Sequence, residues 1–522
     1  MLGELLGGDP STRELKTRIR EKTGGNPFFV EEVVQSLAES GLLQGARGDF
    51  RLARPLESVT IPQSVRVLLA ARIDRLREQE KALLQTAAVV GKNFSETILR
   101  KVAGLDDAAL AASLDALERA DFVREEALYP EREYAFKHPL TQEVAYGSQL
   151  AERRKQTHGV IARAMEEAGA GKLDEQAAMI SHHFEEAGEP LEAARWSRRA
   201  AERAGINNPA EALRHWRKTV ELLEDAPESS ETAALGVDAR AQSILFGWRV
   251  GSTDAETEKL FSEGRTLAKR YHVPRSLCLL LLAYGVRKGN TGYLADYLNV
   301  SLEAARLAEE VGDAALRLNV GSMLPYAYFA TGRLRKIPEV IERHLVGAPR
   351  DLRRGLAFGD LRLALVGLKG LFLAYAGELS EASTVLDEVL REGREVGASD
   401  VCCYAHAIYA DVRWASGDVA GALSHARQAA EIAEVAGNAN LLVWAHSALA
   451  RSHLMSGDWS GAAEEARGAS AISSERRTAL ERGGLLLALL ADAALGAEDH
   501  AAARAFAEEA VATAKKQGAR FY

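Results

Sequence analysis

The sequence is poor in the residues that build disulfide frameworks and large sheets. It has three cysteines, 13 prolines and 6% aromatic residues in 522 positions. Cys278, Cys402 and Cys403 form no CxxC motif, so neither a thiolate metal site nor a disulfide framework is expected. A reducing compartment, the cytoplasm, fits this usage best. Abundant Ala and Leu with few aromatics favour helices. The expected fold class is therefore all-α.

Long apolar runs and an excess of positive charge are also lacking. The strongest apolar stretch, Leu277 to Tyr284, lies between Arg275 and Arg287 and is far shorter than the roughly 20 residues that cross a bilayer. We expect it to form a buried helix. The N-terminal residues have no basic region followed by a long apolar segment, so a secretory signal is not expected. The 65 basic and 74 acidic residues give a net charge of −9. This balance provides no general attraction to nucleic acid or anionic membranes.

An internal repeat with a period of 40 residues is present instead. The segments AGELSEA, SGDVAGA, SGDWSGA and GAEDHAA align without gaps, and each has an apolar stretch before it. A glycine just past a helix end can take the left-handed conformation that caps the helix, and a small residue at a helix crossing lets two backbones approach. The repeating unit is therefore helix, turn, helix. The aligned turn residues are Gly377, Gly417, Gly457 and Ala497, followed five positions later by Ala382, Ala422, Ala462 and Ala502.

This frame resembles tetratricopeptide repeats of the longer kind found in bacterial signalling ATPases and in maltose-regulator-type activators. The resemblance implies an α-solenoid over residues 161–522 whose concave face binds a protein or small-ligand effector. Prolines are expected near helix starts or breaks, and the aromatic side chains are expected in the core rather than in a ligand cage. The prolines are Pro190, Pro209, Pro274 and Pro325, and the aromatic residues are Trp414, Trp444, Trp459, Tyr375 and Tyr409.

The first 160 residues predict a different organisation. In KTGGNPFFVEEVVQSLAESGLL, Pro27 follows two glycines and is expected to begin a helix. Further helices are expected after the caps Ser95 and Asp106, and FVREE and EYAFK predict two strands joined by a turn around Pro130. Three helices and a hairpin describe a winged helix. We therefore predict a helical region over residues 1–60 and a winged-helix domain with a connecting helix over residues 61–160.

Many winged helices bind DNA, but the helix that would enter the major groove has the wrong charge. Between Asp106 and Ala120 it carries four acidic residues and a single arginine, Arg119. Contacts to DNA phosphates require basic side chains. We therefore expect no nucleic-acid partner.

Three pieces of this region, GGNPFFVEE, IPxSVxxLLxxRIDRL and FKHPLTQEVAY, resemble the part that follows the nucleotide-binding core in AAA-type STAND signalling ATPases. The resemblance is strongest to the bacterial group fused to class III adenylate or guanylate cyclase domains. It implies that residues 1–60 are the helical lid remnant of an ATPase module and that Gly25, Asn26 and Pro27 match the family's GxP motif beside the adenine. It also implies that His138 is the histidine that contacts the β-phosphate of ADP. The alternative is that Pro27 only begins a helix and His138 only caps the wing.

The residues that would make this chain an enzyme are missing. No GxxxxGK[ST] phosphate-binding loop occurs, and AGAGKLD, with Gly171 and Lys172, is interpreted as an interhelical loop. By the resemblance the nucleotide-binding core would precede Met1, so ATP or ADP is expected in the parent protein and no cofactor or catalytic residue in this chain. The pair His182 and His183 predicts no metal site, because neighbouring residues on a helix point about 100° apart. We expect a solvated helix end there.

The sequence therefore favours the regulatory sensor portion of a STAND-type ATPase, with the parent's core and output domain as intramolecular partners. Two alternatives remain. The first is a stand-alone tetratricopeptide adaptor, which an in-frame phosphate-binding loop upstream of Met1 would exclude. The second is part of a maltose-regulator-like transcription activator, which requires a helix-turn-helix after Tyr522.

Overall fold

The computed structural model describes residues 1–56, 59, 61–128, 131–168, 173–205, 208–346 and 360–520. The chain divides into two compact units, Met1–Arg199 and Ala200–Tyr522. The predicted all-α fold class is confirmed, because the described part of the chain contains 26 α-helices and five short strands. The predicted domain boundaries near residues 60 and 160 stay predictions.

The first unit combines short helices with two small antiparallel sheets. One sheet is the hairpin β1–β2, and the other has the strand order β3-β5-β4. The helices are α1 Leu2–Leu6, α2 Arg13–Thr23, α3 Pro27–Glu39, α4 Val65–Asp74, α5 Glu78–Val90, α6 Glu96–Ala103, α7 Asp107–Arg119, α8 Pro139–Gly147, α9 Ala151–Ala168, α10 Leu173–Glu186 and α11 Pro190–Ala204, which spans the division. The strands are β1 Leu43–Ala46, β2 Asp49–Leu52, β3 Asn93–Ser95, β4 Val123–Ala127 and β5 Glu133–Phe136.

The predicted caps and hairpin of this unit are present. The side chain of Ser95 accepts a hydrogen bond from the backbone N–H of Ile98, and that of Asp106 accepts one from Ala109. Strands β4 and β5 pair in antiparallel register. The turn expected at Pro130 lies outside the described residues. The stretch that begins at Leu43, for which no strand was predicted, forms the hairpin β1–β2, whose tight turn depends on glycines with positive φ.

The second unit is built from antiparallel helix pairs. A 3-10 turn, Leu480–Arg482, precedes α25. The helices are α12 Pro209–Glu224, α13 Ser230–Val250, α14 Asp254–Arg270, α15 Pro274–Asn290, α16 Leu294–Val311, α17 Ala314–Ala330, α18 Ile337–Leu345, α19 Leu361–Ala376, α20 Leu379–Val396, α21 Ser399–Ala415, α22 Val419–Ala436, α23 Ala439–Ser456, α24 Trp459–Arg476, α25 Gly483–Gly496 and α26 His500–Gln517.

The predicted 40-residue frame is confirmed from α19 to α24. Helices α20, α22 and α24 begin at Leu379, Val419 and Trp459, each after a glycine with positive φ. At the fourth copy the frame slips by one residue. Ala497 keeps φ −84 and the left-handed position passes to Glu498, with φ 62. The turn of this copy is therefore completed one residue later than in the three copies that have glycine.

Two expectations are corrected, one about a proline and one about two tryptophans. Pro190, Pro209 and Pro274 begin helices as predicted, but Pro325 lies inside α17, where it removes one backbone N–H from the helix ladder. The apolar stretch around Leu280 is buried as expected, whereas Trp414 and Trp459, predicted to be core residues, are 47% and 37% exposed. Within the described ranges, no helix has the length and apolarity that a membrane crossing requires.

The helix pairs of the second unit close on themselves, since residues near the C-terminus contact helices far earlier in the chain. The turn at Leu480–Arg482 packs against α15, and Gln517 donates from Nε2 to the Leu480 carbonyl at 2.7 Å. The longest-range contacts are Asn440 Nδ2 to Asn290 Oδ1 at 2.7 Å, Tyr326 Oη to Glu481 Oε1 at 3.2 Å, Arg477 Nη2 to Asp254 Oδ2 at 2.7 Å, and Arg520 N to the Ala330 carbonyl at 3.2 Å.

Candidate functional site

The residues of the GxP-like motif form a helix start. Gly24 and Gly25 both have positive φ and end α2. The Asn26 side chain then accepts a hydrogen bond from the Phe29 backbone N–H at 3.0 Å, and Pro27 occupies the first position of α3. A proline there loses no helical hydrogen bond. The two glycines, Asn26 and Pro27 therefore end one helix and begin the next. This arrangement also sets the position of the next residue, Phe28.

His138 lies against that residue, so the structure brings the two predicted site motifs together. The rings of Phe28 and His138 stack with centroids 3.6 Å apart and an interplanar angle of 10°. His138 also caps α8, because its Nδ1 accepts the backbone N–H of Leu140 at 3.1 Å. Partial burial lowers the pKa of His138. At neutral pH the ring is therefore uncharged with its proton on Nε2, which makes that nitrogen a donor.

A buried arginine connects the motifs GGNPFFVEE and IPxSVxxLLxxRIDRL. Arg72, in RIDRL, is 2% exposed and forms an ion pair with Glu32, in FFVEE. Its Nε also donates to Glu39 at 3.1 Å, and its Nη2 donates to the Ala120 carbonyl at 2.7 Å. The guanidinium lies 4.8 Å from the centroid of the Phe122 ring. Burial raises the pKa of the Glu32 carboxyl, although Arg72 opposes the shift. The motifs thus share one polar junction between α3, α4 and the end of α7.

The pair His182 and His183 differs from the prediction of a solvated helix end. His182 is exposed, but His183 is 2% exposed, with its Nδ1 2.8 Å from that of His158. Burial lowers the pKa of His183 to about 3 and that of His158 to about 4, so both rings are neutral and one Nδ1 donates to the other. Among the residues that the structure describes, no cluster of three potential metal ligands is found.

The second unit contains a cavity lined by the first helices of successive pairs. It encloses about 120 Å³, and about 940 Å³ when the open solvent at its mouth is included. The lining residues are Trp248, Val286, Gly289, Asn290, Tyr297, Ser322, Met323, Tyr326, Ala364, Gly367, Leu368, Leu371, Val401, Tyr404, Ala405, Ile408, Asn440, Trp444 and Glu481.

The 40-residue frame explains why certain residues meet at this cavity. Ala364, Tyr404 and Trp444 occupy equivalent positions in α19, α21 and α23, so stacking the pairs places them along one wall. Gly367 lies on the same wall and is buried, yet a Cβ there would meet no atom within 4 Å. Open space of this kind next to a buried backbone indicates that the cavity continues along α19.

Aromatic and amide groups give the cavity a defined polar side. The Trp444 ring meets Tyr404 edge-on at 5.2 Å and is 6.1 Å from Tyr326. The Tyr404 hydroxyl donates to Asn440 Oδ1 at 2.6 Å, and the amide of Asn440 in turn reaches Asn290. Trp444, which was expected only to fill the core, therefore belongs to a candidate ligand site. The sequence prediction named no residue of this cavity as a site residue.

Comparisons with known proteins agree with this architecture. Residues 1–51 match a family model described as a domain of unknown function. The sequence has no significant match among curated proteins. A STAND protein with a tetratricopeptide repeat sensor from Pyrococcus horikoshii superimposes with a TM-score of 0.54, at 11% identity, over 96% of this chain and 69% of that one.

Two further structures match with lower scores. A Rap protein complexed with competence and sporulation factor gives a TM-score of 0.47 at 14% identity, over 63% of this chain and 97% of its own. Yeast Tom70 gives 0.37 at 13% identity, over 96% of this chain and 94% of its own. The similarity to the STAND protein establishes the fold, so the predicted tetratricopeptide-like array is confirmed.

Proposed function

We propose that the chain is the regulatory portion of a STAND-type signalling ATPase and that its second unit senses a small ligand in the cavity. The observation that carries this proposal is the closure of the array around a buried, mostly apolar space. An open repeat array offers a shallow concave surface, whereas a closed one buries most of a small ligand's surface, as small-molecule sites do. The fold shared with a STAND protein that has a repeat sensor supports the same assignment.

In this proposal the first unit serves the nucleotide switch of the parent protein. The stacked pair Phe28 and His138, with Gly25, Asn26 and Pro27 beside it, would present the Nε2–H of His138 to a phosphate of ADP. The neutral ring favours a hydrogen bond rather than an ion pair with the phosphate. The chain by itself would have no catalytic activity and no tightly bound cofactor, and its parent would be a cytoplasmic ATPase linked to a cyclase.

Ligand binding would act by favouring the closed array. A ligand in the cavity would touch α13, α15, α16, α17, α19, α21, α23 and the turn at Glu481 at once, so it would bind the closed arrangement better than an opened one. A ligand shifts a conformational equilibrium only by its difference in affinity for the two states. The parent protein would read that shift as a change in the balance of its ADP-bound and ATP-bound forms.

The cavity assignment is tested with N-phenyl-1-naphthylamine, a neutral dye whose fluorescence rises in apolar sites. We expect binding to the wild-type chain and loss of binding in Gly367→Leu, whose side chain would enter the open space on α19. The matched control is Gly468→Leu. Gly468 is also a helical glycine with nothing within 4 Å of a Cβ, and it does not belong to the lining. Equal dye binding by the two variants would refute the cavity as the ligand site.

A further inference from the structure

We propose that the cavity takes an amphipathic amine, with its ammonium group at Glu481 and its apolar or aromatic body between the first helices. This inference rests on the proposed function, because it assumes that the cavity is a ligand site, and it adds the chemical class of the ligand. Its evidence is the placement of one carboxylate in a wall that is otherwise uncharged.

Glu481 breaks the repeat frame at a buried position. The equivalent residues one and two repeats earlier are Leu441 and Val401, which are 1% and 2% exposed. Glu481 is 3% exposed, so an aliphatic side chain could pack at this position as Leu441 and Val401 do in the earlier repeats. An acid is almost never buried to this degree unless it is paired. Where one repeat departs from the residue type that packing favours, a functional position is expected.

The backbone around Glu481 is also irregular. Arg477 and Ala479 both have left-handed φ values, 49 and 50, where the two preceding repeats end a helix at Gly397 and Gly437. The Arg477 side chain is held by Asp254. Left-handed residues with a Cβ are costly and concentrate at functional sites. The strained turn places the Glu481 carboxylate in the cavity wall instead of letting α25 begin where α21 and α23 do.

The hydrogen bonds of this carboxylate are incomplete within the described chain. Tyr326 donates its hydroxyl to Oε1 at 3.2 Å, but Oε2 is buried without a hydrogen-bond partner. Burial raises the pKa of Glu481 to about 7, and the nearby Arg482 opposes the shift. The Arg482 guanidinium itself lies over the Trp444 ring, 3.9 Å from its centroid. A buried carboxylate oxygen without a donor costs free energy that a ligand N–H could recover.

The chemistry of the lining selects a cation over other donors. Glu481 is the single acid among the lining residues, and none of them is basic. The rings of Tyr326, Tyr404 and Trp444 lie nearby, and aromatic faces attract ammonium groups. Met323, Leu371 and Ile408 then offer apolar surface to the rest of the ligand. An ammonium would keep Glu481 ionised and would supply the missing donor to Oε2.

The test is displacement of N-phenyl-1-naphthylamine at pH 7.5 by three indoles of matched size, namely tryptamine, 3-ethylindole and indole-3-propionate. We expect tryptamine to displace the dye from the wild-type chain at the lowest concentration and the propionate at the highest. Glu481→Gln should weaken tryptamine about tenfold to a hundredfold, the range for loss of a charged hydrogen bond, and should leave 3-ethylindole unchanged. Glu475→Gln, an exposed acid on α24, is the control and should change neither.

A second variant shows whether a loss of tryptamine binding comes from misfolding. Glu481→Leu restores the residue type of the frame, so it should raise the melting temperature and still lose the preference for tryptamine. The inference is overturned if tryptamine and indole-3-propionate displace the dye equally, or if both variants at position 481 bind tryptamine as the wild type does. These results leave the cavity assignment intact. Dye binding that survives Gly367→Leu contradicts the proposed function itself.

Discussion

Replacing Arg72 by leucine should locally destabilise the first unit, because it leaves two carboxylates without their counter-ion. Arg72 and Glu32 are 1% and 8% exposed at their side chains, and Glu39 is 29% exposed. Breaking a buried ion pair by removing one partner typically costs about 3–5 kcal/mol. Since 1.4 kcal/mol is about a factor of ten in an equilibrium constant, hydrogen-exchange protection in α3 and α4 should fall by roughly two to four powers of ten, up to the protection available for full unfolding.

The pH dependence gives this prediction its sharpest check. The folded-state pKa of Glu32 is raised, so its protonated form is favoured by folding and the carboxylate costs stability as pH rises. Without Arg72 that pKa should rise further. The loss of protection in Arg72→Leu should therefore be large at pH 7 and smaller at pH 4.5, and adding Glu32→Gln should recover part of it at pH 7.

Arg75→Leu is the matched control, because Arg75 lies just after the same helix and is exposed. Its Nη1 donates to Ser36 Oγ at 3.4 Å, and no ion pair of Arg75 is found among the residues that the structure describes. Protection measured by hydrogen exchange and mass spectrometry should barely change in this variant. Equal loss of protection in Arg72→Leu and Arg75→Leu would contradict a stabilising role of the ion pair, and so would a loss in Arg72→Leu that is the same at both pH values.

One further prediction concerns the pH dependence of the first unit, and another concerns ATP binding by the whole chain. Burial lowers the folded pKa values of His158 and His183 to about 4 and about 3, so the unfolded chain binds more protons and the stability of this unit should fall as pH drops below about 6.5. His183→Gln should flatten that slope in urea unfolding followed by circular dichroism, and an unchanged slope would contradict it. Calorimetry should detect no ATP binding tighter than millimolar, because the chain lacks a phosphate-binding loop; micromolar binding would overturn the assignment of nucleotide chemistry to a separate core.

The repeat frame could be read from the sequence because it depends on short-range chemistry. A glycine that ends each helix and an alanine five positions later are local requirements, and they fix the starts of α20, α22 and α24. The turn residue of the fourth copy was predicted at Ala497, but the left-handed residue is Glu498. The hairpin β1–β2 was not predicted, because its strands are only four residues long.

The cavity could not be predicted in the same way. It exists because Asn440 meets Asn290 and Arg477 meets Asp254, contacts between residues 150 and 223 positions apart. No periodic pattern within one repeat specifies such pairs. One signal was available, however, because Glu481 stands where aligned repeats have Val401 and Leu441. The buried pair of His158 and His183 lacked even that, since both rings depend on how α9 and α10 pack.

The long-range contacts of the second unit have a consequence for the number of repeats that such a chain can contain. In an open array a repeat can be gained or lost with little effect on the others, because each repeat touches only its neighbours. Here the backbone N–H of Arg520 donates to the Ala330 carbonyl, and Arg477 pairs with Asp254. Insertion or deletion of one 40-residue unit between these partners would separate them, so their pairing limits how many repeats can lie between them.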